Sequence, residues 1–234
     1  MMNWQDIVVA DNNTHFLLNG TPLFNRYFTE VLKFHSPGLA PVKDESGSYH
    51  IKADGTDLYP NRYSRTFGYY FNRASVIEND KWYHIDESGN RIYPQSYSWT
   101  GNYQEKICVV RDINQHYYHI DLFGNRLYKE NYLYAGDFKD GIACVKLHSG
   151  GFIHIDINGK QINDCVFIDL GVFHKNYATA KDILGWHHID KKGNALYQQR
   201  YLIVEPFYNG YALVTDFDET KKVIDEMGLE ILTL

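Results

Sequence analysis

Seven glycines recur along the chain at almost constant intervals, and that spacing constrains the fold more than any other feature. Gly20, Gly55, Gly89, Gly124, Gly159, Gly193 and Gly228 are separated by 35, 34, 35, 35, 34 and 35 residues. Around them run related segments: YHIKADGTDLY from Tyr49, YHIDESGNRIY from Tyr83, YHIDLFGNRLY from Tyr118, IHIDINGKQIN from Ile153 and HHIDKKGNALY from His187. THFLLNGTPLF from Thr14 and KVIDEMGLEIL from Lys222 are weaker relatives. A fixed period of this length marks a repeat architecture, in which each unit buries its apolar face by stacking on its neighbours. Residues 1–234 are therefore expected to form a single β-repeat domain of about seven units.

Each segment reads as two short strands joined by a tight turn, with glycine where the backbone must turn left-handed. In YHIDESGNRIY the turn falls on Glu87, Ser88 and Gly89. A second half-unit follows, as in YSWTGNYQEKICVVR from Tyr97 and YLYAGDFKDGIACVK from Tyr132, so every unit supplies about four strands. One position near the end of that half-unit is small in six copies: Ala40, Ala74, Cys108, Ala143, Ala178 and Ala212. Small residues suit crowded backbones, and this strand is expected to be the innermost of its unit. Counted from it, the chain opens on Ile7, and the seventh unit lacks its outer strand.

Four strands per unit at this period fit an all-β fold, a seven-bladed β-propeller with an incomplete last blade. The residues before Ile7, including Trp4, stand where they would supply the missing edge. The alternative is an open β-solenoid of stacked hairpins.

Composition agrees with β structure, because aromatic residues make up 16% of the chain, led by 20 Tyr and 13 Phe. A net charge of −6 with both signs interspersed provides no basic stripe for phosphates, so neither nucleic acid nor an anionic membrane is an expected partner. No apolar run is long enough to span a bilayer, and the N-terminal MMNWQDIVVADNN lacks the charged start and apolar centre of a signal peptide. Cys108, Cys144 and Cys165 are odd in number and lack CxxC spacing, which argues against a disulfide framework or a zinc site. A cytoplasmic location is the expectation, with export that uses no cleavable signal also compatible.

The unit resembles the WG repeat family of bacteria, also described as KWG repeats. Its loose pattern is an aromatic-Gly pair, a Tyr-Ile-Asp-like strand, a turn glycine and a later Phe-x-x-Gly-x-Ala-x-Val strand. YYHIDLFGNRLY from Tyr117 followed by GDFKDGIACV from Gly136 is the best copy, and the likeness runs from about Ile7 to Leu234. Trp82 and Trp186 stand at the family's tryptophan, but Tyr83 and His187 replace the glycine that gives the family its name. The resemblance implies an interaction module, and an architecture more firmly than an activity.

Aligned units place His15, His50, His84, His119, His154 and His188 in one column, five residues before the turn glycine; the seventh copy has Val223. As ligand candidates these imidazoles suggest a ring that holds a metal or polar molecule, since histidine is a common metal ligand. Metal binding requires donors to converge within about 2.1 Å of one ion, which equivalent residues of stacked units rarely do. The expected role is instead structural, each imidazole filling a slot between sheets and hydrogen-bonding a neighbouring strand. Tyr59, Tyr93, Tyr128 and Tyr197, with Phe24, form a second column expected to pack the core or blade-to-blade contacts. Asp86, Asp121, Asp156, Asp190 and Asp225 are expected to accept turn amides.

There is no GxSxG elbow, HExxH pair, P-loop or GxGxxG junction, so no catalytic residue and no cofactor is assigned. Irregular stretches, HSPGLAP from His35 and INDCVFIDLGVFHKNYA from Ile162, and variable tips, KLHSGG from Lys146 and DFDETKK from Asp216, point to where a binding face would lie. The expected function is a non-catalytic scaffold that binds a protein partner through loops or one face. The alternative is a small-molecule-binding protein or enzyme with a site at the propeller axis. Partner identity and oligomeric state are not legible.

Overall fold

The computed structural model describes residues 3–234. Seven antiparallel sheets occur among them, in the order of the repeats. The first holds Ile7–Val9, Phe16–Leu18 and Thr21–Pro22; the second Glu30–Val31, Leu39–Asp44 and Gly47–Lys52; the third Arg65–Tyr70, Arg73–Glu78 and Lys81–Ile85. The fourth holds Trp99–Thr100, Cys108–Arg111 and Tyr117–Ile120; the fifth Tyr134–Ala135, Ile142–Lys146 and Phe152–Asp156; the sixth Asp169–Leu170, Ala178–Asp182 and Gly185–Ile189. The seventh has four strands, Ile203–Val204, Tyr211–Thr215, Lys221–Asp225 and Glu230–Thr233.

The chain separates into two compact units, Met1–Gln115 with Ile120–Asn125, and His116–His119 with Arg126–Leu234. In the first, one apolar cluster runs from Ile7 and Phe16 through Tyr49 and Tyr69 to Ile85. In the second, clusters centre on Phe173 with Ile189 and on Phe207 with Ile224.

The small-residue column has a direct cause in the register. Ala40 lies opposite Ile51, Ala74 opposite Ile85, Ala143 opposite Ile155, Ala178 opposite Ile189 and Ala212 opposite Ile224. In consecutive buried positions such as Ala143, Cys144 and Val145 both faces of the strand are covered, so a small side chain leaves room for the isoleucine beside it.

This strand is not the innermost of its unit, as expected from its small residues; it lies inside the sheet, with a short edge strand on one side. The short strand pairs forward: Ala135 lies opposite Val145, and Val204 opposite Val214. The two-residue stretch counted as the outer strand of one unit is thus the first strand of the next.

That shift also corrects the expected truncation, because the last sheet is complete and the first begins at Ile7–Val9 without a preceding short strand. Residues Trp4–Asp6 form a 3-10 turn instead of an edge strand. The Trp4 indole packs over Gly38, where a Cβ would meet it at 2.9 Å. In the second, third, fifth and sixth sheets the fourth strand shrinks to single bridges, Ile51 with Asp57, Ile85 with Arg91, Ile155 with Gln161 and Ile189 with Ala195.

Turns behave as their residues dictate. Asp86 Oδ1 accepts the amides of Ser88 and Asn90 at 2.9 and 2.8 Å, and Asp121, Asp156, Asp190 and Asp225 repeat the arrangement.

Candidate functional site

The histidine column forms the most regular polar feature of the molecule. His50, His84, His119, His154 and His188 are all at most 2% exposed, on the third strand of their sheets. Each Nε2 meets a backbone carbonyl seventeen residues on: Phe67 at 2.7 Å, Gly101 at 3.4 Å, Gly136, Gly171 and Glu205 at 2.8 Å. A carbonyl only accepts, so Nε2 carries the hydrogen, and the neutral ring offers Nδ1 as an acceptor.

In four of the five, that acceptor receives the hydroxyl of the tyrosine nine residues later: Tyr59, Tyr93, Tyr128 and Tyr197. An aromatic ring packs on each imidazole, Tyr69, Tyr103, Phe138, Phe173 and Phe207 in turn, with centroids 4.0 to 4.8 Å apart.

The tyrosines tie one repeat to the next. A Cβ on Gly89 would meet the Tyr59 ring at 2.7 Å, one on Gly124 the Tyr93 ring at 2.5 Å, and one on Gly159 the Tyr128 ring at 2.5 Å. Tyr197 covers Gly228 and Phe24 covers Gly55 in the same way. These five turn glycines are therefore required twice, for a left-handed backbone and for the ring pressed against them.

Burial sets the protonation of this layer. Desolvation pushes His50, His84, His119, His154 and His188 down to about 4, and the same cause raises Tyr59, Tyr93, Tyr128 and Tyr197. In His50, His84, His119 and His188 both nitrogens are engaged, so these neutral imidazoles hold strands in place and have no free site for a substrate proton. Among the described residues no three His, Cys, Asp or Glu side chains are grouped so that they hold a metal ion.

Two members depart from the pattern. His15 is half-buried, with Nδ1 against the Thr14 hydroxyl at 3.1 Å and its ring 5.0 Å from Tyr27. His154 keeps the carbonyl and the aromatic ring, yet its Nδ1 is buried and has no hydrogen-bond partner, because the residue nine positions on is Asn163.

A second set of residues escaped the reading of the sequence. Leu133, Ile168 and Leu202 occupy equivalent positions at the start of the short strands in residues 126–234, and all are exposed. Their amides bond the carbonyls of Lys146, Lys181 and Thr215, at or next to the ends of the adjoining central strands. The turns that follow carry Ile183, Leu184 and Phe217, with Ile183 90% and Phe217 60% exposed. Apolar side chains thus gather at one end of three consecutive sheets. The equivalent strand starts in the earlier copies are Thr29, Ser64 and Ser98. That contrast was the available signal, an aliphatic column confined to the later repeats.

Seven consecutive antiparallel sheets, with the central strands of the second to sixth buried at consecutive positions, define the class: the fold is a seven-bladed β-propeller. No protein-family model matches the chain, and no curated protein matches it in sequence.

Solved structures do share the fold. The computationally designed Ika8 protein is 14% identical with a TM-score of 0.53, over 97% of this chain and 83% of that one. BamB from Moraxella catarrhalis is 13% identical with a TM-score of 0.52, over 97% and 81%. A eukaryotic initiation factor is 9% identical with a TM-score of 0.57, over 90% and 66%. Among the described residues no helix is long and apolar enough to cross a membrane.

Proposed function

We propose that this chain is a non-catalytic scaffold that binds a protein partner through the apolar end of the sheets in residues 126–234. The observation that carries the reading is the exposed column Leu133, Ile168 and Leu202, joined at the same end of their sheets by Ile183, Leu184 and Phe217. Single exposed aliphatics are ordinary on any surface, but a column repeated in register marks a site of association. The engaged histidine layer supports the same reading, since the most conspicuous titratable groups serve the core. Within it, the repeat unit belongs with the WG proteins, supported by its YHID strand and its FxxGxAxV-like strand. An odd number of cysteines without CxxC spacing supports a cytoplasmic setting.

The test is a triple substitution, Leu133→Ser, Ile168→Ser and Leu202→Ser, beside a control with Thr29→Ala, Ser64→Ala and Ser98→Ala. A partner captured by the wild type and the control, and confirmed with purified components, is expected to lose at least tenfold in affinity for the serine variant at an unchanged melting temperature. Equal affinity for all three proteins overturns the docking face.

A further inference from the structure

The fifth repeat breaks the histidine-tyrosine pair in a way that leaves chemistry behind. His154 donates from Nε2 to the Gly171 carbonyl at 2.8 Å, which fixes Nδ1 as an acceptor, and it is 2% exposed. Its four sister imidazoles direct the same nitrogen at a phenol hydroxyl. Here the matching residue, Asn163, is too short to reach it and is engaged elsewhere. Its Nδ2 donates to the Lys191 carbonyl at 3.3 Å and its Oδ1 accepts the Cys165 amide at 3.0 Å.

Smaller groups stand where the phenol ring would be. Over Gly193, where the sister glycines carry a tyrosine ring, the nearest groups are Cys165 Sγ at 2.5 Å and Asn163 Cγ at 3.2 Å from a Cβ placed there. Both side chains are far smaller than tyrosine. They are also half-buried, whereas Tyr59, Tyr93, Tyr128 and Tyr197 are buried at 5 to 8% exposure, so the outer end of the slot faces solvent. The neighbouring tyrosine column changes as well: Tyr63, Tyr97, Tyr132 and Tyr201 become Phe167, which removes another hydroxyl from the region. A buried acceptor without a donor costs about 1–3 kcal/mol, a cost a fitting ligand relieves.

We propose that the fifth blade holds a binding site for a small neutral phenol, whose hydroxyl donates to His154 Nδ1 and whose ring enters between Asn163 and Cys165 toward Phe173. Phenol is the class the fold itself specifies, because four equivalent slots are filled by one. The ring meets apolar walls from Ile162, Phe167 and Phe173, members of one cluster with Cys165. The neutral state of His154 leaves its lone pair available at neutral pH; a carboxylate is disfavoured because it supplies no donor, and a phosphate because its charge would be buried among apolar walls.

Phenol itself and benzene are the probes, titrated into the full chain with the His154 imidazole followed by nitrogen NMR and the melting temperature recorded. Phenol is expected to saturate, to shift Nδ1 and to bind at least tenfold more tightly than benzene. Asn163→Tyr, which restores the sister side chain, is expected to abolish phenol binding and raise the melting temperature. Should that variant misfold, His154→Leu serves instead, and is expected to bring phenol and benzene to equal affinity. Absence of saturable phenol binding, equal affinity of the two probes for the wild type, or unchanged phenol binding in a folded Asn163→Tyr protein each overturns the proposal.

Discussion

Tyr93 donates its hydroxyl to Nδ1 of His84, and the same ring lies against Gly124 of the following repeat. One side chain thus satisfies a buried acceptor in its own sheet and sets the approach of the next turn. Tyr59 and Tyr128 do both as well, and so does Tyr197, which is why tyrosine, and not merely an aromatic residue, recurs there.

Tyr93→Phe keeps the ring and removes only the donor. The buried His84 Nδ1 is left unpaired, and a loss of about 1–3 kcal/mol is expected, read as a lower midpoint in urea with an unchanged slope. An equal midpoint for the two proteins would show that the hydroxyl is dispensable.

Gly124→Ala tests the other end of the ring. At φ +80° an alanine is strained, and its Cβ would meet Tyr93 at 2.5 Å, so strain and overpacking together cost roughly 2–4 kcal/mol. Gly210 has φ +84° but nothing within 4 Å of an added Cβ, and Gly210→Ala is expected to cost only about 1 kcal/mol. The difference between the two, measured by denaturant unfolding, isolates the ring contact; equal losses would remove it.

Acid acts on the buried layer with a definite sign. His50, His84, His119, His154 and His188 are held down to about 4 in the fold, while unfolded histidine titrates near 6.5. Their contribution is fully present above pH 6.5 and is lost as pH falls toward 4, because the unfolded chain takes up protons that the folded one refuses. At pH 5.5 each imidazole costs on the order of 1 kcal/mol, and five together cost several, a large share of the stability of a typical domain. The carboxylates held low, Asp44 at about 2 among them, lose their contribution only below this window. Thermal melts at pH 7.5 and 5.5 are expected to differ steeply; identical melts would contradict neutral burial.

Much of this was legible before any coordinates. The period, the hairpins and the turn aspartates follow from glycine spacing and local chemistry, and the histidine and tyrosine columns were visible nine residues apart. Their union was less so, since the third partner is a backbone carbonyl seventeen residues on, which has no side-chain signature. Strand order was misread for a similar reason: nothing local in Tyr134–Ala135 says whether so short a strand pairs backward or with Val145. Asn163 stood in a stretch already marked as irregular, but its meaning depends on His154, whose orphaned nitrogen only the structure reveals. Leu133 drew no notice because one exposed aliphatic carries no information until Ile168 and Leu202 are seen in the same register.

The three cysteines supply the last prediction, because burial separates them sharply. Cys108 and Cys144 are 0% and 4% exposed, and burial pushes the Cys144 thiol up to about 12; Cys165 is half-buried, over Gly193. Alkylation requires the thiolate and an approach path. Brief treatment of the folded protein with iodoacetamide at pH 8 is expected to modify Cys165 alone, with Cys108 and Cys144 following only in urea, as read by peptide mass mapping. Equal modification of Cys144 and Cys165 in the folded protein would mean that the fifth sheet opens as readily as its turn, and would contradict a slot whose outer end alone is accessible.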